Sequence, residues 1–413
     1  MSTSQASPVE SPAGSPSWVR PRHRYVFRLL SPVFALVTRL RYQVSAGRFT
    51  PDGPGPYLIL YNHQTPFDQF FLMMSFPFPV YYVATEDIFS KGWLSSVLRY
   101  LVAPIPIRKQ KTDLAALSAI ARVAREGGSI AIAPEGNRTF SGRTEHMSPA
   151  IALLARRLGL PVVLYRIEGG YGANPRWSDG VRRGPVRAFP ARVISPEEIR
   201  KLSGEELFNL IREGLSVSEA APGGPYVSDR RAEYLERMLY VCPFCGLSVF
   251  RSRGNEVECL SCRRKTEYRE DRSLRGVGFD SPFSFAADWY DYQTRFVAGL
   301  DLSGYLSSPM FEDAARLFEV REFRKKILLE RDQPLRLFED RLTLGDGAGA
   351  RGFPFREIGG MAVIGRNRLN FYIADRTFQL RGDRRFNALK YVNLYYHFVN
   401  TEKGDPHGKF LGL

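Results

Sequence analysis

The chain has 413 residues, 44% of them hydrophobic and 24% charged, with a formal net charge of +15. This is a globular composition rather than a disordered one, and the length suffices for two or three domains with cores of their own. The charge asks for an anionic partner; nucleic acid, anionic lipid and acyl-carrier substrates all qualify, and charge alone does not choose among them.

Residues 1–17, rich in Ser and Pro, read as a disordered tail. From Trp18 to Arg48 there are seven arginines and no acid, interleaved with Tyr25, Phe27, Leu29, Val33, Phe34 and Leu36. Arg28 and Pro32 interrupt the apolar run, and a spanning helix needs about 20 mostly apolar residues. The segment therefore predicts two short amphipathic helices on a bilayer surface, with a packing hairpin as the alternative. A secretory signal fits poorly, because Arg28 breaks the apolar region and no cleavage site follows.

Tyr57 to Tyr61 is a buried-strand candidate leading into Asn62-His63-Gln64-Thr65-Pro66-Phe67-Asp68. Thr65 suits a helix cap and Pro66 a first helical position. On one continuous helix His63 and Asp68 would point roughly 140° apart. With His63 in the loop before the cap, the ring can fold back to Asp68, which fixes its tautomer and leaves the other nitrogen as a base. The plainer reading is a capping box of Thr65 and Asp68 beside a loop histidine.

A second strand candidate, Val80 to Ala84, and a helical pattern, Leu114 to Ala124, precede the apolar run Ser129 to Ala133. That run opens onto Pro134-Glu135-Gly136-Asn137-Arg138-Thr139. Strands alternating with helices predict an α/β core with a largely parallel sheet, whose sites form beyond the strand carboxyl ends, where His63 and Glu135 both fall.

Together the His-x4-Asp stretch, Pro104-Ile105-Pro106-Ile107-Arg108, the Glu135-Gly136-Asn137-Arg138 stretch and Leu160-Pro161-Val162-Val163 resemble, in order, the four motifs of the glycerophosphate and lysophospholipid acyltransferases. Asn137 stands where the family usually has threonine. The resemblance covers roughly residues 18 to 215. It implies His63 as general base with Asp68 orienting it, Glu135, Gly136 and Arg138, helped by Arg108, at the acceptor phosphate, and Asn137 among the substrate-binding residues. It also implies an acyl thioester donor, acyl-CoA or acyl-carrier protein, and a lysophospholipid acceptor such as 1-acylglycerol-3-phosphate. No Gly-x-Ser-x-Gly elbow offers a covalent nucleophile, which favours direct transfer.

Tyr165 to Gly172 reads as a strand and a glycine-rich loop that lacks the Gly-Lys-Ser of a nucleotide site. Arg166, Arg176, Arg182 and Arg183 read as solvated surface charges, with anion binding as the alternative. Helices are predicted from Ser195-Pro196 and from Gly204 to Leu215.

Beyond Pro222 to Pro225, Cys242-Pro243-Phe244-Cys245 and Cys259-Leu260-Ser261-Cys262 form two CxxC knuckles with 13 residues between them. Four thiolates at that spacing predict a closed, structural zinc ribbon, with disulfides or a redox pair as the alternative. The aromatic-rich stretch 279–300 should be helical in its second half. Alternating runs from Leu335 to Leu380, followed by helical spacing from Phe386 to Tyr396, look like a pleckstrin-homology-like domain.

The predicted layout is a tail at 1–17, an acyltransferase domain at 18–218 with membrane-surface helices at 18–48, a linker and zinc ribbon at 219–272, a helical linker at 273–330 and a β-rich domain at 331–413. The protein would sit peripherally on the cytoplasmic face of a membrane. A non-catalytic membrane adaptor or zinc-ribbon binding protein that keeps the fold is the alternative. Nucleic acid is disfavoured, since one small ribbon is thin support.

Overall fold

The computed structural model describes residues 17–53, 55–85, 89, 93–107, 114–321 and 324–405. The expected tail, apart from residue 17, and Arg108 lie outside these residues.

Helix α1 (Pro21–Arg41) leads into an edge strand, β1 (Gln43–Ala46). The two short helices expected here are one, because Pro32 removes only a single donor. Phe34 stacks on Phe70 at 4.8 Å between ring centroids, so contact with helix α2 (Asp68–Ser75) carries α1 past the proline. The apolar side chains Tyr25, Leu29, Val33, Leu36 and Leu40 recur on one face and stay exposed, Leu40 by 80%.

Strands β2 (Leu58–Tyr61), β3 (Val80–Thr85), β4 (Ile105–Ile107), β5 (Ser129–Ile132), β6 (Val162–Glu168) and β7 (Pro185–Ile194) complete the first sheet, in the order β1-β7-β6-β2-β5-β3-β4. Every pairing is parallel except β6 with β7. The central strands read as continuous apolar runs because both faces are covered. Leu58, Leu60, Ile130, Val162 and Leu164 enter one core, while Ile59, Tyr61, Ala131, Val163 and Tyr165 enter the other. The first core is closed by helices α4 (Leu114–Arg125), α5 (Ala150–Leu158) and α8 (Gly204–Leu215); α3 (Trp93–Val102), α6 (Gly170–Ala173) and α7 (Pro196–Lys201) complete this half. Ser195 and Ser203 cap α7 and α8, accepting from Glu198 N and Glu206 N, as the sequence predicted for both helix starts.

The cysteine region folds into β8 (Val241–Cys242), β9 (Gly246–Leu247) and a four-stranded antiparallel sheet of β10 (Phe250–Arg253), β11 (Glu256–Cys259), β12 (Lys265–Tyr268) and β13 (Leu274–Gly276). Helix α9 (Ala286–Ala298) then precedes a seven-stranded antiparallel sheet. Its strands are β14 (Phe311–Val320), β15 (Ile327–Leu337), β16 (Arg341–Leu344), β17 (Arg351–Pro354), β18 (Gly360–Ile364), β19 (Arg368–Ile373) and β20 (Arg376–Arg381), in the order β17-β16-β15-β14-β20-β19-β18. β14 and the start of β15 occupy residues expected in a helical linker. Their pairing shifts register on either side of Leu317, which breaks the two-residue period that marks a strand in sequence.

Helix α10 (Ala388–Glu402) closes this sheet and is buried on every side from Ala388 to Phe398. Ribbon, α9, sheet and α10 share one apolar core, which also takes Phe140 and Trp177 from the first half. A buried ion pair, Arg272 with Glu219, adds a second tie between the halves.

Candidate active site

β2 and β5 lie side by side and parallel, with Leu60 opposite Ile132, so the loops leaving their carboxyl ends emerge together. One loop carries His63 and the other Glu135. Asn62 anchors the first: its Nδ2 donates to Ile167 O at 2.8 Å and its Oδ1 accepts from Ile167 N at 2.7 Å. Gln64 braces the same loop from the other side, accepting Tyr171 N at 3.2 Å.

His63 Nδ1 lies 2.7 Å from Asp68 Oδ2. Asp68 is fully buried, and its oxygens also accept from Gln64 N at 2.8 Å, Thr65 N at 2.9 Å and the Thr65 hydroxyl at 2.7 Å. The helix therefore starts at Asp68 and not at Pro66. Thr65 does not cap it; the carboxylate draws the local donors into a tight turn, and Thr65 Oγ1 accepts Phe67 N at 3.0 Å. That turn brings the imidazole back over the helix start, across the five-residue gap. Burial lowers the His63 pKa below its ordinary value; the Asp68 hydrogen bond and charge oppose this, and Arg138 and Arg176 push it further down. A quarter of the side chain is exposed, so with Nδ1 held, Nε2 is the nitrogen left to meet a substrate.

Glu135 faces inward. Its Oε1 accepts His63 N and its Oε2 accepts Glu145 N, each at 2.8 Å, while Thr139 N donates to His63 O at 3.1 Å. Both carboxyl oxygens thus serve the loops of the site. Burial pushes its pKa up to about 8, against the two N–H bonds that favour the charged form. Gly136 turns the chain at φ +67 with open space around it, so backbone conformation, not crowding, requires glycine there.

Arg138 is buried to 9% exposure, and its Nη1 finds no acceptor among the described residues. Arg176 and Arg182, read from sequence as solvated surface charges, are both buried. Arg176 donates to Arg138 O at 2.9 Å, to Val363 O at 2.8 Å and to Gly365 O at 2.8 Å, and sits over the Phe140 ring. Asn137 Oδ1 lies 3.4 Å from the same guanidinium. Arg182 donates to Gly172 O at 3.2 Å and lies over Trp177 and Tyr268. Apart from Gly172 and Trp177, their carbonyl partners and aromatic platforms come from segments far apart in the chain, which local pattern reading does not connect. Arg166 pairs with Glu168 at 3.0 Å, and Arg183 is exposed.

The second constellation is the cysteine cluster. The sulfurs of Cys242, Cys245, Cys259 and Cys262 all lie within 4.8 Å of one another, and none is in a disulfide. Cys242 and Cys262 are 3.7 Å apart, Cys245 and Cys259 3.6 Å. Tetrahedral ligands at the usual zinc–sulfur length of roughly 2.3 Å stand about 3.8 Å apart, so the spacing fits a Cys₄ zinc site.

Residues 43–167, which build the His63 and Glu135 loops, match the family model described as Acyltransferase. Among solved structures the chain resembles the 1-acyl-sn-glycerophosphate (LPA) acyltransferase PlsC from Thermotoga maritima, at 19% identity and a TM-score of 0.40, over 47% of this chain and 78% of that one. A comparison with curated protein sequences finds no match.

Proposed function

We propose that the protein transfers a fatty acyl group from an acyl thioester to the free hydroxyl of a lysophospholipid, with 1-acylglycerol-3-phosphate as the preferred acceptor. The observation that carries this reading is the His63–Asp68 pair at 2.7 Å, set at the sheet's carboxyl edge beside the buried Arg138. An acyl thioester is already activated, so the enzyme has to align the acceptor hydroxyl and take its proton. His63 Nε2 removes that proton as the oxygen attacks the thioester carbon. The tetrahedral intermediate then collapses, the carbon–sulfur bond breaks, and the imidazolium returns the proton to the leaving thiolate. Asp68 holds the ring in the Nδ1–H tautomer and stabilises its charged form. Lowering of the His63 pKa keeps the ring neutral, and so able to accept a proton, at ordinary pH.

Arg138 is assigned to the acceptor's phosphate, which its planar fork suits. Glu135 and Gly136 position the loops instead of touching that phosphate, and Asn137 supports Arg138 through Arg176. Arg108 keeps its place as a candidate phosphate ligand by resemblance alone. The exposed apolar stripe of α1, flanked by Arg22, Arg24, Arg28, Arg39 and Arg41, suits a peripheral helix on an anionic cytoplasmic leaflet. Among the described residues no helix is long and apolar enough to cross a membrane. Zinc held by Cys242, Cys245, Cys259 and Cys262 would close the ribbon structurally, and the strand order and closing helix of the C-terminal unit fit a pleckstrin-homology-like fold.

The test is an acyl-transfer assay with radiolabelled acyl-CoA and acyl-carrier protein in parallel, against 1-acylglycerol-3-phosphate. Acylated product from either donor is expected, and the absence of transfer from both would favour the non-catalytic adaptor.

A further inference from the structure

A cleft of about 550 Å³ lies between the His63 loop and the C-terminal sheet, and seven arginines and two aspartates line it. Pro66 and Arg138 come from the acyltransferase side; Arg366 and Arg368 come from the turn between β18 and β19. Both acids are already engaged. Asp179 is held by Arg237 at 2.7 and 3.2 Å and lies 3.6 Å from Arg366, while Asp383 accepts Arg385 N at 2.8 Å within its own turn.

The fold keeps these like charges together. Arg176, at the centre of the contact, donates at once to the carbonyls of Arg138, Val363 and Gly365, so it fastens the β18–β19 turn directly onto Arg138. Asn367 Nδ2 fixes the far side of that turn, donating to Asp383 O at 3.1 Å. Arg138 Nη1 and Arg366 Nε both lack an acceptor among the described residues. Burial, and Arg366 after it, lowers the Arg138 pKa to about 10. Cations pressed together in a part-buried cleft repel one another, and an anion between them relieves that cost.

We propose that the C-terminal domain is a working part of the acyl-transfer site, with Arg366 and Arg368 joining Arg138 to bind the phosphate of the acceptor headgroup. The proposal rests on the acyl-transfer reading of His63. In 1-acylglycerol-3-phosphate one carbon and one ester oxygen separate the hydroxyl-bearing carbon from phosphorus, so a hydroxyl at His63 puts its phosphate in the adjoining cleft. The diphosphate of acyl-CoA, by contrast, lies a whole pantetheine arm away from the thioester. A phosphate dianion matches two or more arginine forks, and a neutral monoacylglycerol matches none.

The experiment uses the full chain carrying Arg366→Gln with Arg368→Gln, and a second form carrying lysine at both positions. The glutamine form should raise the acceptor KM at least tenfold with the acyl-CoA KM within twofold of the parent, and the lysine form should fall between. Glycerol 3-phosphate should raise the melting temperature of the parent but not of the glutamine form. This binding arm reads the phosphate site even if the parent transfers no acyl group, which separates failure of the pocket from failure of the acyl-transfer reading. Should the glutamine form not fold, the lysine form, which keeps charge and loses the fork, decides alone through an acceptor KM raised about threefold. An acceptor KM and a glycerol 3-phosphate shift both unchanged in a folded variant overturn the proposal, and so does a rise confined to the donor KM.

Discussion

Glu135 accepts the backbone N–H of His63 at 2.8 Å, so the second loop of the site holds the first by its main chain. Its other oxygen holds Glu145 N, which ties three loop segments to one buried carboxyl group. Replacing Glu135 with alanine orphans both N–H groups at about 1–3 kcal/mol each. We expect Glu135→Ala to lower the melting temperature and to reduce kcat more than the acceptor KM, with Glu135→Gln intermediate. A change confined to the acceptor KM would return Glu135 to phosphate binding.

The pH profile follows from the environment of His63. A base must be neutral to act, and burial lowers this imidazole below its usual value near 6.5, so kcat/KM should hold as pH falls through 6.5 and decline only further down. Asp68 acts in the raising direction, so Asp68→Asn should move the acid limb lower still while slowing the reaction. An acid limb at or above pH 6.5 in the parent contradicts the assignment.

The cysteine cluster predicts one zinc per chain. Cys242 and Cys259 belong to the same apolar core as α9 and α10, so Cys259→Ser, or a strong chelator, should melt the ribbon and loosen the C-terminal sheet with it. Elemental analysis without stoichiometric zinc, or mass spectrometry finding disulfides at these positions, would refute the zinc site.

The membrane reading turns on one face of α1. Leu29→Asp with Leu36→Asp should release the protein from anionic vesicles without changing its melting temperature, since both side chains are exposed. Each flanking arginine contributes roughly 1 kcal/mol near such a surface, so high salt should weaken binding as well. Unchanged co-sedimentation of the double variant would move the docking surface elsewhere.

Much of the site was legible because its residues are local in sequence and sit at strand ends. An apolar run followed at once by Asn62-His63, and another followed by Pro134-Glu135-Gly136, marks two strand carboxyl termini whatever the tertiary fold. Other features depend on contacts that cross the chain. The late start of α2 follows from the four donors gathered by Asp68, and the continuity of α1 through Pro32 from packing on Phe70. β14 was hidden by its own register shifts. Arg176 reads as a surface charge until Arg138, Val363 and Gly365 are seen to converge on it, and Arg366 and Arg368 lie some 300 residues from His63.

The most direct measurement is acyl transfer by His63→Ala protein, checked for folding by its melting curve. Loss of the general base should cut the rate by about 10² to 10⁴ with little change in stability or in glycerol 3-phosphate binding. Transfer at the parent rate by the folded variant would reduce His63 to a loop residue and remove the centre of the account.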